Sequence, residues 1–243
     1  MSASDVDFAA AYCDVQDRLL AVLLDQPADR FDLEVPSCPE WTLWHLLAHL
    51  TGGMVDASTG NAPELDGVSL HDYSLDPAVR DAVEAMSRRQ IDERRGHPPA
   101  ALAEEWTAAT AVALPMLRGD EPFPSPMPPF MEYTLLEDLA VHEDDVRETL
   151  GLAPAPPSAA RSVALVAYVV ALDRRLRSGE HPALRLVADE EVFLAGEGEP
   201  VATLTASTYE LVMALSGRRS SNQIEALDWD GDPTLFVNSL SEY

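Results

Sequence analysis

Val35-Pro-Ser-Cys-Pro-Glu-Trp-Thr-Leu-Trp-His-Leu-Leu-Ala-His-Leu50 is the stretch on which the fold turns. It passes from a proline-bearing approach into an apolar helix that carries two histidines. Two helix starts fit it: Ser37 with Glu40 three residues on, or Thr42. From either, the helix is expected to run through Leu43 to Leu50 and to stop near Gly52-Gly53, since glycine disfavours a helix interior. Far along the chain, Asp138-Leu-Ala-Val-His142 repeats a four-residue spacing, so its carboxylate and imidazole leave one helical face about a turn apart. An antiparallel bundle would bring His49 opposite this pair. Two imidazoles and a carboxylate form a divalent metal site with an open position, at ligand distances of roughly 2.0 to 2.2 Å, and zinc is the expected occupant. The competing reading takes both histidines as buried, hydrogen-bonded core residues and the Asp/His spacing as chance. His45 and His49 also share a face, but His45 reads better as a cap-adjacent residue than as a further ligand.

Working outward, apolar residues recur at helical spacing from Ser4 to Leu24 and predict a first helix. The stretch from Asn61 to Leu75 reads as loop. Helix is expected from Ala78 to Met116, broken at Gly96-His-Pro-Pro99. Glu121 to Phe130, rich in proline, reads as a stiff connector, and Met131 to Leu150 as a further helix ended by Gly151. The run Ala153-Pro-Ala-Pro-Pro-Ser158 has no apolar anchor in this reading and is the best domain boundary, giving units 1–152 and 158–243. Beyond it, a helix from Ala159 to Leu176 precedes strand-like runs at 184–188, 192–195 and 201–205. Then come a helix from Ser207 to Leu215, a strand at Ile224 to Trp229 and a closing helix from Thr234. The first unit thus reads as helical throughout and the second as mixed helix and strand.

Composition narrows the function. All 16 basic residues are arginine, they face 42 acids, and the formal charge of -26 repels a phosphate backbone, so nucleic acid is a poor partner. The acidic start carries none of the positive charge of a secretory leader, and the longest apolar run, Val163 to Leu172, is too short to span a bilayer. A cytoplasmic protein without membrane partners is expected, with Cys13 and Cys38 reduced.

The quoted stretch, with Asp138-Leu-Ala-Val-His-Glu-Asp-Asp-Val146 and Leu150-Gly151, resembles the mycothiol-dependent maleylpyruvate isomerase family. Leu215-Ser-Gly-Arg218 and Asp228-Trp-Asp-Gly-Asp232 fit it more loosely. The resemblance implies a DinB-like four-helix bundle with a divalent metal and a sterol-carrier-like α/β domain. It places the metal histidines at His49 and His142, and the carboxylate, usually Glu in the family, at Asp138. Glu137 lies about 100° away around the helix. Asp145 matches an acidic family position and reads as an orienter of His142 rather than a ligand. Arg218 falls on the family's functional arginine, implied to be catalytic and to bind the cosubstrate, with Arg219 as its neighbour in cosubstrate binding. Cys38, Trp41 and Trp44 read as packing residues.

The implied activity is that of a thiol S-transferase or a cis–trans isomerase acting on an electrophilic small molecule, with mycothiol as the thiol cosubstrate. Coordination by zinc lowers a thiol's pKa, so that the thiolate exists at neutral pH. Two alternatives stay open: a metal-free binding or accessory protein on the same fold, and a metal-dependent hydrolase that uses no thiol.

Overall fold

The computed structural model describes residues 6–61, 76–128 and 130–241. The expected Asn61 to Leu75 loop lies, past Asn61 itself, outside these residues, as do Ser4 and Asp5 of the expected first helix. Helix α1 spans Phe8–Leu24, with the Asp7 carboxylate accepting from the Ala10 N–H at 2.9 Å. It buries Tyr12, Val15, Leu19 and Leu23 along one stripe.

The deciding stretch folds as a hairpin leading into a helix. Strands β1, Glu34–Val35, and β2, Cys38–Thr42, pair antiparallel, so no helix begins at Ser37. Pro39 accounts for this correction, because the residue before a proline is driven out of the α region. Helix α2 instead starts after Thr42 and spans Leu43–Thr59. Its capping box uses a histidine where Glu or Gln is usual: the Thr42 N–H donates to His45 Nδ1 at 2.9 Å, and the Thr42 hydroxyl accepts from the His45 N–H. The expected stop at Gly52-Gly53 does not occur. The helix runs on until Gly60, whose φ of 75° closes it.

Helices α3, Pro77–Glu93, and α4, Pro99–Leu117, are separated at the expected break. Helix α5, Met131–Thr149, follows the proline-rich connector. Helices α1, α2, α4 and α5 pack as the four-helix bundle, while α3 lies against α2 from outside. Within the bundle the buried Trp106 indole donates to the Tyr12 hydroxyl at 2.9 Å, tying α4 to α1.

The linker into the second half is anchored, contrary to expectation. Ala155 is buried, its N–H donates to Asp144 at 2.9 Å, and its carbonyl accepts from Arg161 at 2.7 Å. Helix α6, Ala159–Ser178, packs on α5, and apolar residues of both halves belong to one continuous core.

A four-stranded sheet follows, ordered β4-β3-β5-β6. Strand β3 is Pro182–Ala188, β4 Glu191–Ala195 and β5 Glu197–Ala206; β3 pairs antiparallel with β4 and parallel with β5. The chain crosses the head of β3 in one residue, Gly196, with φ 90°, where an added Cβ would sit 2.9 Å from Ala183 Cα. Helix α7, Thr208–Leu215, packs on α6. The expected strand from Ile224 to Trp229 is only half a strand. A Ser220/Gln223 capping box starts helix α8, Ser221–Glu225, and strand β6 is limited to Asp228–Asp230, before a final helix α9, Val237–Ser241. Among the described residues no helix is long and apolar enough to cross a membrane.

Candidate metal centre

His49 comes from the middle of α2; Asp138 and His142 come from adjacent turns of α5. Their ligand atoms all lie within 4.8 Å of one another. The imidazoles are buried, with side-chain exposures of 10% and 7%, while the Asp138 carboxylate keeps 42%. Although packed deep among protein atoms, Asp138 is therefore the side of the cluster that solvent reaches.

The distances fall into two classes. On their outer sides both rings make short hydrogen bonds: His49 Nδ1 lies 2.8 Å from Gln90 Oε1, and His142 Nδ1 lies 2.8 Å from Asp145 Oδ2. Toward each other, His49 Nε2 lies 3.4 Å from Asp138 Oδ2 and 3.5 Å from Oδ1, and His142 Nε2 lies 3.4 Å from Oδ1. These inner separations are too long for good hydrogen bonds. Ligand atoms about 2.0 to 2.1 Å from a tetrahedral zinc stand about 3.3 Å apart, close to what is observed. With both Nδ1 atoms engaged by acceptors, both Nε2 atoms face the shared carboxylate, and once deprotonated each can offer its lone pair to a cation. Donor set and spacing fit a divalent cation.

The electrostatics agree. Burial opposes charge on Asp138, but His49 and His142 outweigh it and hold the carboxyl well below the usual carboxylate range. Burial likewise opposes the His142 cation, yet Asp138 and Asp145 push it up to about 10 in the metal-free protein. Asp145, fully buried, is also driven below the ordinary range, where Arg218 and His142 overcome desolvation.

Asp145 joins three parts of the chain. Besides His142, it accepts from the Ser37 hydroxyl at 2.6 Å, from Arg218 Nη2 at 3.2 Å and from Arg218 Nε at 3.4 Å. The hairpin and the second half thus both bear on one histidine. Arg218 also donates to the Ser216 carbonyl at 2.7 Å. Arg219 lies apart from this network, donating to Glu210 at 3.0 Å and to the Tyr209 hydroxyl at 3.1 Å.

His45 serves the helix cap, and Glu137 is not among the clustered groups. Cys13 and Cys38 are both free and half-buried. Trp44 donates to the His97 carbonyl at 2.9 Å, as a packing residue would. Trp41 does more than pack. Its ring lies 5.0 Å from that of His49 and is stacked 6.2 Å from that of His142, forming a wall of the cluster. Its place in the deciding stretch was the available signal. Gln90 and Asp56, which bear on His49 from behind, carried no comparable signal.

The chain matches the family model described as the mycothiol maleylpyruvate isomerase N-terminal domain over residues 10–147. Two crystal structures of the mycothiol-dependent maleylpyruvate isomerase, one of them of a mutant, are similar in fold. They superpose with TM-scores of 0.53 (the mutant) and 0.52, at 15% and 16% identity, and in each case 87% of both chains is covered. No curated protein matches the chain.

Proposed function

The chain belongs to the family of the mycothiol maleylpyruvate isomerase N-terminal domain, and from that premise we propose that it is a metal-dependent thiol enzyme using mycothiol. In this reading it acts on an electrophilic small molecule as a cis–trans isomerase or as an S-transferase. The helical unit, 1–152, holds the metal, and the α/β unit, 158–243, closes on it.

One observation supports the metal most directly: two buried imidazoles fixed at Nδ1 present Nε2 to a carboxylate at ion-ligand rather than hydrogen-bond spacing. His49, Asp138 and His142 would hold the ion. Bound there, zinc would supply the Lewis acidity that keeps a thiol as its thiolate at neutral pH. The protein groups do the rest. Trp41 bounds the cleft and limits the space for water. Ser37 and Arg218 hold Asp145, and Asp145 holds His142 in one orientation. Arg218 is the proposed catalytic and cosubstrate-binding cation, since it is the arginine joined to the site. Arg219, whose charge Glu210 already meets, is its proposed partner at the cosubstrate's periphery. An isomerase would add sulfur to a cis double bond conjugated with a carbonyl, let the resulting single bond turn, and release sulfur. A transferase would keep the adduct.

The test is metal content together with thiol dependence. Purified protein is expected to hold one zinc per chain, lost in His49→Ala and His142→Ala, and to convert maleylpyruvate or a related electrophile only with mycothiol added. Protein free of metal and indifferent to chelator would instead support a binding role on this fold. Turnover without thiol would support a hydrolase.

A further inference from the structure

Helix α3 stands outside the bundle, yet it approaches α2 closely. A Cβ on Gly52 would lie 2.5 Å from Gln90 Cβ and 2.9 Å from Arg94 Nη1. What this approach brings in is Gln90, 1% exposed, whose Oε1 stands 2.8 Å from His49 Nδ1. The other end of the same amide donates from Nε2 to Asp56 Oδ2 at 2.6 Å, and Asp56 is only 4% exposed. Asp56 follows His49 by seven residues on α2, two turns along the same face. It is held by Arg89, which donates to Oδ2 at 2.8 Å and Oδ1 at 3.2 Å, and by Asn61 at 3.0 Å.

A glutamine amide can turn either end toward a histidine, and only its neighbours decide which. A carboxylate only accepts, so Asp56 takes the NH2 end and leaves Oε1 for the ring. An amide oxygen also only accepts, so His49 must carry its proton on Nδ1. In the neutral ring Nε2 is then left with a free lone pair on the side of Asp138 and His142. The two histidines reach this state differently: Asp145 acts on His142 directly, whereas Asp56 acts on His49 through a neutral amide.

We propose that Gln90 is a positioning residue, set by Asp56, that fixes the Nδ1–H tautomer and ring orientation of His49, and that the close seat of α3 on Gly52 serves this contact. The inference rests on the metal reading of the site for its purpose, but the tautomer can be read without metal.

The experiment uses the full chain with Gln90→Met, which keeps the volume and removes the acceptor. Imidazole nitrogen NMR of the metal-free protein in mildly alkaline buffer is expected to show His49 as Nδ1–H in the wild type and as a mixture, or as Nε2–H, in the variant. Zinc affinity, measured by competition with a chromophoric chelator, is expected to fall about 10- to 100-fold. The exchange Asp56→Asn with Gln90→Glu restores a donor facing an acceptor along the chain, and it should recover the tautomer and most of the affinity. Arg89→Met is expected to lower thermal stability and leave the tautomer alone. An unchanged tautomer in Gln90→Met, or zinc affinity within about twofold of wild type, overturns the proposal. If Gln90→Met does not fold, Asp56→Asn carries the same test, because Asn no longer dictates which end of the amide it meets. Failure of the wild type to bind zinc would defeat the metal reading, while the NMR result would still decide the role of Gln90.

Discussion

At His142 any bound metal ion would compete with a proton, and the sign of that competition follows from the groups around the ring. Burial lowers its tendency to charge, but Asp138 and Asp145 more than offset this and raise it from its ordinary 6.5 to about 10. A folded value above the unfolded one contributes stability that is complete below about pH 6.5 and is lost as pH rises toward 10. Urea unfolding of the metal-free protein is therefore expected to show stability falling across that window, apart from other titrations, with the loss absent in His142→Gln. Zinc must displace the same proton, so its apparent affinity should rise by up to about tenfold per pH unit through neutrality. A zinc affinity flat with pH would contradict this account of His142. His49, Asp138 and His142 were legible in the sequence because helical spacing and the flanking motif marked them. The reach of Asp138, a methylene shorter than Glu, was an open question that spacing could not answer; the backbone places its carboxylate 3.4 Å from both Nε2 atoms. Asp56 was hidden by the helix stop expected at Gly52-Gly53. Gln90 was hidden because it meets His49 across 41 residues of chain.

Those two glycines show at the level of the helix what local preference leaves undecided. Each lowers helix propensity by about 1 kcal/mol relative to alanine, which is why an end to α2 was expected there. The tertiary structure uses them differently. Gly52 faces Gln90 Cβ, an atom that cannot swing aside, whereas nothing lies within 4 Å of a Cβ on Gly53. Gly53→Ala is therefore expected to stabilise the protein by up to about 1 kcal/mol. Gly52→Ala must push α3 away, and overpacking of about 1 to 3 kcal/mol outweighs the same propensity gain. Thermal melting of the two variants should give shifts of opposite sign, and only Gly52→Ala should weaken zinc binding, through Gln90. Equal shifts would mean that the α2–α3 contact is loose. The break between α3 and α4 and the start of α7 were readable because proline and Ser207 act locally. The start of α2 was left between Ser37 and Thr42, and the end of α8, Ile224 and Glu225, was read as strand. There, pairing with β1 and a serine–glutamine cap decide, and neither changes the apolar pattern.

Across the whole molecule, the acidic run after His142 ties the two halves together. Glu143, Asp144 and Asp145 would pass for a solvated face, yet they are 2%, 1% and 0% exposed, and each meets an arginine from a different element. Arg18 of α1 takes Glu143 at 2.8 Å, Arg161 of α6 takes Asp144 at 2.6 Å, and Arg218, beyond α7, takes Asp145 at 3.2 Å. A chain of charge -26 thus places three of its 16 cations where desolvation would otherwise be unmatched. Asp144 shows the balance: burial raises its carboxyl above the ordinary value even though the Ala155 N–H and Arg161 pull the other way. A buried pair of this kind can often be replaced by apolar side chains without loss. Here that exchange should fail, because the same two side chains satisfy the N–H and carbonyl of Ala155 in the linker. Arg161→Met alone is expected to destabilise by about 3 to 5 kcal/mol, leaving Asp144 buried without its cation. Asp144→Leu combined with Arg161→Met removes the stranded charge but leaves two buried backbone groups unpaired, at about 1 to 3 kcal/mol each. The double variant should therefore recover only part of the loss in urea unfolding. Full recovery to wild-type stability would mean that the linker does not depend on this pair.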